Sequence, residues 1–215
     1  MRLREFDLDA PEESRERRSQ LRLQTRCVTS LFERHFNGAL KTPKYWKILV
    51  EVVPKITNDK AIDLLGVLAI QTEFDLSIFF GATNSKRKRL ALALLTAGVA
   101  KVIEEMNWPK EPFDNATNKV VEMDFVNCWT WKKRARSPKR DLVAEVYCCH
   151  DVEEFVAFLR VRDTKGRLVK EKKILTDTPS EFIFAKHFGE LKWLDDRTVQ
   201  LFPKFGRGKY SVTVS

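Results

Sequence analysis

Apolar residues in this chain change period near its midpoint. Up to Asn107 the clearest stripes recur every three or four positions, and from Asn118 onward they recur every second position. The first spacing lays one face of a helix on a core and the second lays one face of a strand there. A chain carrying one after the other is constrained to an α+β fold. We expect a helical N-terminal half with a small sheet over residues 1–110. An antiparallel β-sandwich-like half should follow over 111–215, with the boundary in the Pro109–Asn118 stretch that holds Pro109, Pro112 and Asn115. At 215 residues the chain suits one domain or two small ones. Its 15 Phe and 5 Trp supply apolar area for cores, while 8 Gly and 8 Pro leave little room for long disordered tracts.

Two helices stand out in the first half. Pro11 to Phe36 carries Leu21, Cys27, Val28, Leu31, Phe32 and Phe36 near helical spacing, opens on Glu12 and Glu13, and stops at Gly38. Its early turns hold Arg15, Glu16, Arg17, Arg18 and Arg22, a polar start that lies in solvent or on a partner. A second helix is predicted from an N-cap at Ser85 to about Asn107, with Trp108-Pro109 ending it. Between them, Tyr45–Val53 and Leu65–Phe74 read as short apolar strands, expected to pair antiparallel across 54–64. In the second half, strands are expected at 121–131, 142–149, 155–162, 168–175, 182–185, 198–202 and 210–214.

The formal charge is +9, from 39 basic and 30 acidic residues, and the excess is divided almost evenly about residue 110. A basic surface rather than a basic tail follows, and an acidic protein, nucleic acid or an anionic membrane surface are the partners such a surface attracts. No secretory signal opens the chain, and the longest nearly apolar run, Leu90 to Ala100, falls well short of the roughly 20 residues that span a bilayer. We therefore expect no membrane insertion and a cytoplasmic location, with Cys27, Cys128, Cys148 and Cys149 as reduced thiols.

Two basic runs carry the strongest local signals. Trp129-Thr130-Trp131-Lys132-Lys133-Arg134-Ala135-Arg136-Ser137-Pro138-Lys139-Arg140 has six cations, no acid and two indoles. It reads either as a solvated turn with core Trp129 and Trp131, or as an anion contact where cations meet phosphates or carboxylates and the rings stack. Lys86, Arg87, Lys88 and Arg89 occupy the opening turn of a helix, where cations oppose the macrodipole at about a few tenths of a kcal/mol each. Such a break with local rules marks an anion site or a helix end screened by salt.

Weaker constellations are a Cys148-Cys149-His150-Asp151 run and an Asp163…Glu171-Lys172-Lys173 pattern. The first suggests a thiolate nucleophile, but neighbouring strand residues point to opposite faces. The second imitates metal-dependent nucleases. However, a tight turn at 164–166 would set the two carboxylates about 13 Å apart along the strands. His35 and His187 stand alone, and phosphate-loop, dinucleotide, Gly-x-Ser-x-Gly and His-Glu-x-x-His motifs are absent. No cofactor and no metal is expected. The reading is a non-catalytic binding or accessory protein, immunity- or regulator-like, that docks an acidic protein partner through its basic surfaces. A nucleic-acid-binding protein is the alternative, and a metal-dependent nuclease is third.

Overall fold

The computed structural model describes residues 1–131, 133–206 and 208–214; Lys132, Arg207 and Ser215 lie outside the described residues. The fold is α+β, in two compact units, Met1–Val126 and Asn127–Ser215.

In the first unit, strand β1 (Glu5–Asp9), which the sequence pattern missed, precedes helix α1 (Arg15–Phe36). The helix starts four residues after the expected Pro11 because Ser14 is its cap, accepting the Arg17 N–H through its side chain. It ends where Asn37 turns left-handed. Its apolar stripe packs at home, with Phe6 ring-to-ring against Phe32 and Phe36 at 4.9 Å each. The polar early turns are used as well. Arg18 and Arg22 reach the buried Asp9, and Arg26 bridges Asp7 and Glu33.

Strand β2 (Lys47–Val53), β3 (Ile62–Leu64) and β4 (Val67–Glu73) complete a sheet ordered β1-β2-β4-β3. The expected antiparallel pairing of the two long strands is corrected: β2 and β4 run parallel, Lys47 opposite Val67. The extra strand β3 explains the difference. It forms a hairpin with β4 through Leu65-Gly66, both at positive φ, so the chain has already reversed before β4 begins. A side chain at Gly66 would also meet the Lys44 carbonyl at 2.9 Å.

Helix α2 (Leu76–Phe80) leads into α3 (Asn84–Met106), capped by Thr83 rather than the expected Ser85. Where the sequence pattern suggested a boundary and then a strand from Val121, the chain forms a further helix, α4 (Glu111–Glu122). Pro112 sits in its first turn, and Phe113, Ala116 and Val120 form a buried helical stripe. Phe113 lies 4.9 Å from Phe36, so α4 belongs with α1, and the units divide after Val126 rather than at 110.

The second unit holds β5 (Asn127–Thr130), β6 (Ala135–Arg136), β7 (Leu142–His150), β8 (Phe155–Asp163) and β9 (Leu168–Asp177) in one antiparallel sheet. A short helix α5 (Glu181–Phe184) and a 3-10 turn (Ala185–His187) follow. Then β10 (Glu190–Trp193), β11 (Thr198–Phe202) and β12 (Tyr210–Thr213) make a three-stranded sheet. The strand expected at 182–185 is therefore helical, turned by the Ser180 carbonyl accepting from Ile183 and Phe184. Alternate residues of β7 and β8, with Trp193, Val199, Leu201 and Val212 from the smaller sheet, share one buried cluster.

Two outcomes test the first unit. Gly98 on α3 lies against Val50 on β2 so closely that an added Cβ would meet a Val50 methyl at 2.5 Å. Gly98→Ala should lower unfolding stability in urea by about 1–3 kcal/mol. Asp9 is buried, which opposes ionisation, but hydrogen bonds from Arg18 and the Ala10 N–H and the Arg22 charge hold its carboxyl below the usual value. Its stabilisation is present above about pH 4 and is lost as pH falls through the lowered folded value. Asp9→Asn should cost about 2 kcal/mol at neutral pH and flatten the acid limb of a stability-versus-pH curve.

Candidate anion-binding site

Two cavities divide the basic-aromatic run into two groups. Trp129, Trp131 and Lys133 turn to one side, and Thr130, Arg134 and Arg136 turn to the other. On the second side, Thr130, Arg134, Arg136 and Arg140 line a pocket of about 560 Å³ with Val143, Glu145 and Arg162 and with the turn Asp163, Thr164 and Gly166, so four arginines face two acids there.

Glu145 is the pocket's anchor. It is 5% exposed, on the face of β7 opposite the core, and both its oxygens are engaged: Arg162 Nε at 2.7 Å and Arg134 Nε at 3.3 Å. A buried carboxylate is tolerated only when paired, so Glu145 holds two guanidinium groups at the pocket wall. Arg136 enters from β6, opposite Val143. Arg140 stands in a turn closed by its N–H to the Ser137 carbonyl, with the Ser137 hydroxyl donating to Asp141, whose carboxyl it holds below its usual value. The Arg140 backbone is left-handed, φ 61°, a conformation that strains a side-chain-bearing residue. Among the described residues, neither Arg136 nor Arg140 has a carboxylate within ion-pair distance.

The remaining expected site residues are dispersed. Lys139 pairs with Asp196 at 2.8 Å, and Lys132 lies outside the described residues. Lys133 donates to the Gly189 carbonyl and stands 5.4 Å over the Trp131 ring. Trp129 and Trp131 are half-buried and packed on the core, 6.0 Å from Phe155 and 5.6 Å from Phe188 respectively. The Lys86–Arg89 run belongs to the other unit. There Arg87 is consumed by the carbonyls of Phe79 and Phe80 at the end of α2, Lys88 is half-buried, and Lys86 and Arg89 are exposed.

The expectation of four reduced thiols is corrected. Antiparallel register puts Cys128 directly opposite Cys149, and the two form a disulfide, leaving Cys27 and Cys148 as buried thiols. Cys149 is therefore no free nucleophile, and His150 is buried with Nε2 against the Pro179 carbonyl. Asp163 organises its own turn through Arg167, while Glu171 lies opposite and pairs with Arg160, so the two carboxylates are held by separate arginines.

Three features escaped the sequence reading. Arg162 and Glu145 looked like ordinary polar positions of alternating strands, and only cross-strand register joins them to the basic run. His187 is not alone: Nε2 meets Asp177 and Nδ1 meets the Tyr210 hydroxyl, each at 2.8 Å. Burial, and then the Asp177 charge, push the Tyr210 hydroxyl above its usual pKa. No local spacing signals this chain of contacts, because its members come from three separate elements.

In denaturant without reductant, alkylation should label two of the four cysteines, Cys27 and Cys148, and all four after reduction; mass spectrometry reads the count. Arg140→Gly removes the left-handed strain and should leave the protein at least as stable, by up to about 1 kcal/mol. The chain matches no protein-family model, and no curated protein and no solved structure matches it significantly.

Proposed function

We propose that the protein is a non-catalytic binding or accessory protein, immunity- or regulator-like, whose second unit docks an acidic protein partner in the arginine pocket. One observation carries this reading. Arg136 and Arg140, without carboxylate partners among the described residues, converge with the Glu145-held Arg134 and Arg162 on a single cavity. Guanidinium groups suit carboxylate ligands because their planar forks bond both oxygens. Two are pre-positioned by Glu145, so less side-chain freedom is lost on binding.

Alternation favours a protein over nucleic acid. Trp129 and Trp131 line a different cavity from the arginines, so a strand with phosphates on Arg136 and Arg140 could not stack its bases on those indoles. The nuclease reading loses its support, since Asp163 and Glu171 are engaged by separate arginines. A cytoplasmic setting belongs to this reading, and the Cys128–Cys149 pair would be open to reduction there.

Fluorescence anisotropy with a labelled oligoglutamate and a single-stranded oligonucleotide of equal charge tests the proposal. The oligoglutamate should bind, and Arg136→Ala combined with Arg140→Gly should weaken it at least tenfold, or about 1.4 kcal/mol. Unchanged affinity in the double variant would sink the pocket. Tighter oligonucleotide binding, with log K falling by about 0.9 per phosphate contact against log salt, would transfer the site to nucleic acid.

A further inference from the structure

The other side of the same strand offers a second cavity, of about 470 Å³, within the usual range for binding pockets. Trp129, Trp131, Phe184 and Phe188 form its walls, and Lys133 and Lys204 stand at it. Glu181 is the one acid lining it among the described residues. An aromatic enclosure of this kind can in principle hold a cation, but here the Trp131 face already carries the Lys133 ammonium, and the lysines outnumber the acid. The occupant that matches is apolar in its body and negative at its edge.

Its surroundings point to a macromolecule. Phe182 in α5 is 97% exposed and Phe205 is 75% exposed, each next in sequence to a lining residue, Glu181 and Lys204. The two segments are joined, since Lys204 and Phe205 both donate backbone N–H groups to the Lys186 carbonyl just after α5. Large aromatic side chains left in water beside an aromatic cavity form the kind of anchor-and-rim surface that protein partners bury.

We infer that this cavity receives an aromatic side chain of an acidic protein segment, with flanking carboxylates on Lys133 and Lys204 and added contact from Phe182 and Phe205. The inference rests on the reading that the partner is an acidic protein, and it adds an apolar anchor to the charge contact at the arginines.

The test uses the whole chain and two labelled acidic peptides differing only at a central residue, Phe or Ala, with anisotropy as readout. The Phe peptide should bind at least tenfold tighter, as expected for burying one aromatic ring. Lys204→Glu, at an exposed position, should weaken the Phe peptide about fivefold or more, and Phe182→Ser should narrow the Phe-to-Ala ratio. Arg140→Gly, on the other side of the strand, should leave that ratio unchanged. Equal binding of the two peptides would overturn the anchor while leaving the arginine pocket standing. Phe-peptide affinity unmoved by Lys204→Glu, or a ratio unmoved by Phe182→Ser, would overturn it too. So would binding of a single-stranded oligonucleotide that Lys204→Glu weakens while the Phe peptide fails to bind.

Discussion

Glu145 is the constraint on which the chemistry of the second unit depends. A carboxylate set on the face of β7 opposite the core yet almost fully covered is tolerated only when paired, and Arg162 from β8 and Arg134 from the β5–β6 connection answer it together. That pairing ties a strand neighbour and an irregular loop to one point. The loop would otherwise be a basic segment free to spread into water. Held there, it brings Arg136 and Arg140 to the same opening, and the unit gains a cationic pocket from residues scattered between positions 134 and 162.

The same strand geometry explains the two characters of one short run. Trp129 and Thr130 of β5 point to opposite faces, and the connection that follows sends Trp131 and Lys133 to the aromatic cavity and Arg134, with Arg136 of β6, to the arginine pocket. A sequence that reads as a single aromatic-basic motif thus serves two surfaces of different chemistry. In the first unit the Lys86–Arg89 run follows another logic: Arg87 closes the carbonyl end of α2, so one of its four cations is a structural cap. Basic residues of similar appearance have been put to separate uses by what lies near them in space.

The parallel core of the first unit depends on an element too small to announce itself. Ile62-Asp63-Leu64 has no apolar alternation longer than three residues, and all three are exposed. Yet by folding back on β4 it decides the direction in which β4 meets β2. Likewise the acids of β1 gain their partners only in the fold: Arg18 and Arg22 from α1 pair with Asp9, and Arg26 pairs with Asp7. The polar opening of α1 and the acidic start of the chain are two halves of one interaction, legible only once helix and strand are side by side.

Period and turn residues by themselves determined the α+β class, helices α1 and α3, and strands β7, β8, β11 and β12, because the burial of one face is written into consecutive residues; β9 was placed as well, although its first six residues are exposed. They also located the basic run that supplies Arg134, Arg136 and Arg140. Tertiary structure alone decided the parallel pairing of β2 with β4, the placement of α4 with α1, the Cys128–Cys149 link, and the arrival of Glu145 and Arg162 at the pocket. Those depend on cross-strand register and on where the chain reverses. Both are set by contacts between residues far apart in sequence, so no local spacing records them.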